Sequence, residues 1–197
     1  SDVYKRQVVE QQQWVSRAGK KLFEALKSFE VKVEGKTALD VGSSTGGFTQ
    51  VLLHEGAEKI TSVDVGTDQL HSSLRNVARI SLLEQTDIRD ISSRLKDSFD
   101  LVVVDVAFIS LSKIIKDIEF VARIGGDIIL LYKPQFEVGK QNISKNGVVK
   151  KEIDTQKILG HFLKSLEKSS LYFVKCRKAY ITGKKGNQEI FVHLKKC

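Results

Sequence analysis

The chain has 197 residues, 41% of them hydrophobic, with 32 Lys and Arg against 24 Asp and Glu, for a formal net charge of +8. That is one domain of ordinary size with enough apolar material for a core, or one domain with a short appendage. No apolar run approaches the roughly 18 to 20 residues of a membrane span, because the longest, Leu101 to Leu111, is interrupted by Asp105. The opening residues do not read as a secretory signal. Two cysteines, Cys176 and Cys197, are too few for a disulfide framework, which points to a cytoplasmic protein with Cys176 as a core thiol. Residues 134 to 197 hold 14 Lys and Arg against 5 Asp and Glu, so this third carries +9 and the remainder −1. A basic third beside a nearly neutral body suggests a polyanionic partner, RNA or DNA ahead of a membrane; the alternative is lysine used only for solubility.

In chain order, residues 1 to 7 match the translation of a transposon adapter common in sequencing libraries, and the chain holds no Met. Those residues are read as an artefact, leaving 8 to 197 as the domain, with an upstream region expected to be missing. Ser16 is a plausible N-cap for a helix whose buried stripe is Leu22, Leu26 and Phe29. Strands are expected at Thr37 to Val41, Lys59 to Val65, Ile80 to Glu84 and Phe99 to Val106. Helical spacing over 111 to 123 leads through Gly125 and Gly126 into a strand at Asp127 to Tyr132. A basic loop over 135 to 151, with Gly139 and Gly147, reads as a mobile active-site loop. Helix 152 to 168 and strands 171 to 180 and 188 to 194 complete the pattern. Strands alternating with helices at this spacing mean an α/β fold: a mostly parallel sheet with helices on both faces.

The stretch Ala38 to Phe48, ALDVGSSTGGF, carries the first chemical signal. A buried strand breaks into Gly42, Ser43, Ser44, Thr45, Gly46 and Gly47, and a helix follows, the opening βα unit of a nucleotide-binding sheet. Glycines suit this turn because a side chain would hold a ligand away from the backbone and the helix N-terminus. An ordinary tight loop would explain the segment too. The dinucleotide fingerprint would place glycine at Ser44, so a single adenosine-type ligand such as S-adenosylmethionine is favoured over NAD. Asp64, about twenty residues on, stands where a carboxylate takes ribose hydroxyls; a plain strand-end turn would also account for it. Asp87 falls beside the adenine by the same topology. Asp105, directly after Leu-Val-Val-Val, needs a cationic or hydrogen-bonding partner, and Lys133 at the end of the neighbouring strand is the candidate. The four His residues show no metal-ligand spacing, and no metal is expected.

These residues carry a resemblance. WVSRAGKKL at 14–22, LDVGSSTGGFT at 39–49, SVDVGTDQL at 62–70, DLVVVDVAFISL at 100–111, KPQFEVGK at 133–140 and TGKKGNQEIF at 182–191 are similar to the TlyA group of FtsJ-like RNA 2′-O-ribose methyltransferases, known historically as haemolysin A. The resemblance implies a Rossmann-like class I S-adenosylmethionine-dependent methyltransferase fold with a seven-stranded sheet. It implies a cytidine in ribosomal RNA as target and rRNA or ribosomal subunits as partner, with no membrane and the oligomeric state undetermined. The FtsJ-type Lys-Asp-Lys-Glu tetrad falls on Lys21, Asp105, Lys133 and Glu189; Lys20 is adjacent, but Lys21 holds the family position. Ala107 stands where the family commonly has Ser, Tyr132 replaces a usual Val, and Tyr180-Ile181 occupies the place of a frequent Pro. The group usually carries a small N-terminal RNA-binding domain, expected here upstream of the chain.

A 2′-hydroxyl is a poor nucleophile at neutral pH, so a positioned base is required. Lysine serves if a nearby cation favours its free amine, which makes Lys133 the expected base, Asp105 its orienting partner, and Lys21 and Glu189 positioning groups. Lys140, Lys145, Lys150, Lys151, Lys184 and Lys185 lie in loops near the strand ends and are expected to contact phosphate. The readings set against this one are a membrane-active haemolysin, for which no segment has the length or amphipathic cationic face, and an RNA-binding module without catalysis.

Overall fold

The computed structural model describes residues 14–197, so the seven residues read as an artefact lie outside the described residues. The order of elements is α1 (Arg17–Phe29), β1 (Thr37–Val41), α2 (Gly47–His54), β2 (Lys59–Val63), α3 (Ser72–Arg75), β3 (Ile80–Leu83), α4 (Ile88–Ile91), β4 (Phe99–Val104), α5 (Ile115–Val121), β5 (Ala122–Tyr132), α6 (Thr155–Ser165), β6 (Leu171–Lys178) and β7 (Ile190–Lys196). One seven-stranded sheet runs β3-β2-β1-β4-β5-β7-β6. The pairings β1–β2, β1–β4, β2–β3 and β4–β5 are parallel, while β7 runs antiparallel to both β5 and β6.

The central strands are continuous apolar runs because both faces of the sheet are covered. On one face Leu39, Val102, Val104, Ile128 and Leu130 pack with Ile115 and Ile118 of α5 and Leu159 and Phe162 of α6. On the other, Ala38, Leu101, Val103, Ile129 and Leu131 pack with Leu22, Leu26 and Phe29 of α1 and Phe48, Val51 and Leu52 of α2. Successive residues of one strand thus feed opposite cores, as the two-residue period of a strand requires. From β1 the chain moves outward to β2 and β3, then crosses back to place β4 on the other side of β1. That reversal opens a crevice beyond the C-terminal ends of β1 and β4.

Several expected boundaries are corrected. Strand β2 stops at Val63, because Asp64 turns to accept backbone N–H groups and Val65 is 71% exposed. Strand β3 stops at Leu83 and β4 at Val104. The helix expected over 111–123 is a single turn at Leu111–Lys113 followed by α5. Strand β5 begins at Ala122, which pairs with Phe99 before a register shift brings Asp127 opposite Leu101. Helix α6 starts at Thr155, where Asp154 accepts the N–H groups of Gln156 and Lys157. Ser16 holds the N-cap position of α1 but makes no capping bond through its side chain. Cys176 is exposed rather than in the core, since β6 is an edge strand with little covering it.

Candidate active site

Strand β1 ends in a turn locked to its neighbour: the N–H groups of Gly42 and Ser43 both donate to Val63 O, at 2.8 and 3.2 Å. A Cβ on Gly42 would fall 2.5 Å from Asp105 O, so only glycine lets the turn approach the end of β4. Asp64 braces the turn from β2, accepting the Ser44 N–H on Oδ2 and the Gly66 N–H on Oδ1, each at 2.7 Å. Asp87 caps α4 and pairs with the Arg89 guanidinium at 2.6 Å, and that hydrogen bond holds its carboxyl below the ordinary range.

Past the strand ends lies a cavity of about 590 Å³. Four elements send charged side chains into it. Lys21, one turn into α1, reaches Glu189 at the start of β7, its Nζ donating to Oε2 at 2.6 Å; both residues are buried. Lys133, just past β5, places its Nζ 2.6 Å from Asp105 Oδ1, just past β4; their side chains keep 14% and 17% exposure. The tetrad is therefore two cation–carboxylate pairs in one cavity. Gly42, Ser43, Ser44, Thr45 and Gly47 line the same cavity, whereas Gly46, Asp64 and Asp87 are not among its lining residues.

A model of the FtsJ-like methyltransferase family matches residues 14–196. The chain belongs to the FtsJ-like methyltransferase family. It is 44% identical over 182 residues to the 23S rRNA (cytidine-2′-O)-methyltransferase TlyA of Campylobacter jejuni, covering 91% of this chain and 70% of that protein. It is 39% identical over 184 residues to the 16S/23S rRNA (cytidine-2′-O)-methyltransferase TlyA of Mycobacterium tuberculosis, covering 92% and 68%. A solved structure from Lactococcus lactis that carries the hemolysin name superposes with a TM-score of 0.88 at 36% identity, over 94% of this chain and 90% of that one. In this FtsJ-like chain no helix among the described residues is long and apolar enough to cross a membrane.

Within the FtsJ-like site, three positioning residues escaped the sequence reading. Asp40 is fully buried beneath the turn, accepting from Thr49 Oγ1 at 2.7 Å, with Ser62 Oγ a further 2.7 Å from that hydroxyl. Burial drives its carboxyl up to about 7; the Thr49 hydrogen bond opposes this, and the charges of Asp105 and Asp64 add to it. A carboxylate inside the apolar run Ala-Leu-Asp-Val was the available signal. Glu137 accepts Ser110 Oγ at 2.6 Å and the Leu111 N–H at 2.9 Å, tying the segment after Lys133 to the segment after Asp105; burial pushes its carboxyl up. Asn187, buried at 5%, accepts the Val149 N–H at 3.0 Å and donates to Gly147 O at 2.9 Å. That amide clasps the basic loop onto the segment before β7. The loop is not structureless: it holds two short turns and an antiparallel bridge between Ile143 and Val149.

The six lysines assigned to RNA are all exposed, and Lys184 and Lys185 line the cavity itself. None of the six is paired with a carboxylate among the described residues, which leaves their charge available to an anion. Phe108 is 92% exposed, sits at φ +64° and lines the cavity with its ring 5.3 Å from that of Phe136. Ala107, the departure from the family Ser, lines the cavity beside it.

Proposed function

We propose that this chain transfers the methyl group of S-adenosylmethionine to the ribose 2′-hydroxyl of a cytidine in ribosomal RNA. The observation that carries the reading is the convergence of Lys21, Asp105, Lys133 and Glu189 as two ion pairs in one cavity beside the glycine turn. The target follows the TlyA relatives, whose names specify cytidine 2′-O-methylation of rRNA. A chain with this role works on ribosomes in the cytoplasm.

The turn fits the cofactor. Ser43 Oγ is a buried hydroxyl in the cavity wall that finds no hydrogen-bond partner among the described residues. A Cβ at Gly42 would fill the close approach between the turn and the end of β4. Asp64 keeps a free lone pair on each oxygen for a ribose diol, and Asp87 lies at the adenine end of the strand order. When bound, S-adenosylmethionine supplies an electrophilic methyl group and departs as the neutral thioether.

Lys133 Nζ is the group placed to take the 2′-hydroxyl proton, and Asp105 at 2.6 Å orients it and holds the ammonium. Such a positioned base contributes roughly 10²- to 10⁴-fold. The Lys21–Glu189 pair, lining the same cavity, frames the ribose beside it. Phe108 offers an unobstructed ring on which the target base stacks once drawn out of its helix. The exposed lysines of residues 140–151 and 184–185 hold the flanking phosphates.

Labelled methyl supplied with ribosomal subunits or rRNA should appear at 2′-O-methylcytidine when the product is digested and mapped. Label on a base, or on a nucleoside other than cytidine, would overturn the assignment.

A further inference from the structure

Tyr180 has no role in the chemistry described above, yet it is 68% exposed on the segment that leads into the cavity-lining residues Gly183, Lys184 and Lys185. Two contacts define where it sits. Ala179, its buried neighbour, donates its N–H to Glu189 O at 2.8 Å, so Tyr180 follows directly on the backbone that holds the acid of the Lys21–Glu189 pair. Lys20, the neighbour of Lys21 on α1, stands with Nζ 5.4 Å over the Tyr180 ring centroid. Lys20 is thus the chain neighbour of Lys21, and Tyr180 is the chain neighbour of the residue hydrogen-bonded to Glu189. The segment carrying the ring is held further by Arg17, whose guanidinium donates to Thr182 O at 2.8 Å, and by Gln188, whose amide donates to Ala179 O at 3.1 Å.

The chemistry around the ring is one-signed. From Lys178 to Gln188 the chain contains three lysines and no carboxylate, and Arg17, Lys184 and Lys185 line the adjoining cavity. An exposed aromatic face within a cationic rim has the two elements that bind single-stranded nucleic acid: a platform for a base and charge for the backbone. A cation over the ring strengthens that platform.

We propose that Tyr180, backed by Lys20, is a stacking platform for an unpaired nucleobase flanking the target nucleotide. This rests on the RNA-methylation reading and extends it by assigning a subsite outside the cavity. Phe108 takes the base whose ribose is methylated, and Tyr180 takes a neighbour, so substrates with a single-stranded flank are preferred over those in which the flank is paired.

The test uses the full chain with Tyr180→Ala, Tyr180→Leu, Tyr180→Trp and Lys20→Ala. Binding to a short single-stranded RNA is read by fluorescence anisotropy, and methyl transfer to rRNA is read at saturating S-adenosylmethionine. The expected result is that Tyr180→Ala and Tyr180→Leu weaken RNA binding and raise KM for RNA by roughly 5- to 150-fold, with kcat and cofactor affinity held within about twofold. Tyr180→Trp should bind at least as tightly as Tyr, and Lys20→Ala should weaken binding by only about 2- to 5-fold. Unchanged binding and KM in Tyr180→Ala would overturn the platform, as would Leu serving as well as Trp. If the unaltered chain binds RNA through Tyr180 but methylates none, the catalytic reading fails and the platform stands. If it methylates rRNA with no dependence on Tyr180, the reverse holds.

Discussion

Asp105 Oδ1 lies 2.6 Å from Lys133 Nζ, and each residue directly follows the last residue of one of two adjacent parallel strands. The pairing needs no long loop, because parallel neighbours end on the same side of the sheet and their next side chains meet there. Replacing Lys133 should therefore remove chemistry without removing the pocket. Lys133→Ala is expected to lower single-turnover methyl transfer by roughly 10²- to 10⁴-fold. Lys133→Arg should be comparably inactive, because a guanidinium cannot act as a free base. In both, S-adenosylmethionine should still raise the Tm. Substantial transfer in either variant would remove Lys133 from the role of base.

The clasp made by Asn187 predicts a loop phenotype. Asn187→Ala removes the bonds to Gly147 O and the Val149 N–H, costing about 1–3 kcal/mol locally. Hydrogen exchange at the Val149 amide should quicken by tenfold or more while amides of β1 and β4 keep their protection. KM for RNA should rise more than kcat falls. Uniform loss of protection would instead mark Asn187 as a general stability residue.

Phe108 holds a left-handed backbone at φ +64°, a conformation that glycine adopts without steric cost. With a ring 92% exposed, it also contributes little burial. Phe108→Gly is thus expected to leave stability unchanged or raise it by up to about 1 kcal/mol, while methyl transfer to RNA falls at least tenfold. A parallel loss of Tm and activity would show that the ring serves packing.

Two carboxyls set opposite pH dependences. Burial alone would raise Asp127, but hydrogen bonds from His193 and Lys36, each at 2.8 Å, and the charges of Lys36 and Lys195 hold it at about 2, below its ordinary 3.8. Its contribution to stability is present above pH 4 and lost as pH falls toward 2, because the unfolded chain takes up the proton first. Asp40 is raised by burial from 3.8 to about 7. Its contribution is full below pH 4 and declines as pH rises to 7, since there the folded state binds more protons than the unfolded. Denaturant titrations between pH 4 and 8 should show that decline in the unaltered chain and a flatter profile in Asp40→Asn. Identical slopes would place the titration elsewhere.

What the sequence determined by itself was local. Thr37 to Val41 is a strand because consecutive apolar residues suit a doubly covered sheet, and Gly42 turns it because glycine takes a φ of +84° without steric cost. The residue types that enter the cavity, two lysines and two carboxylates, were also legible, through the motifs that carry the family resemblance. The tertiary structure decided which of them meet: Lys21 and Glu189 lie 168 positions apart, and only the path of β7 back along β5 brings them to 2.6 Å. It likewise decided that Cys176 faces outward, that Asn187 clasps a loop 40 positions away, and that Asp40 is fully buried. Strand and turn propensities act over a few residues, whereas partners and burial depend on which distant segments the sheet order makes neighbours.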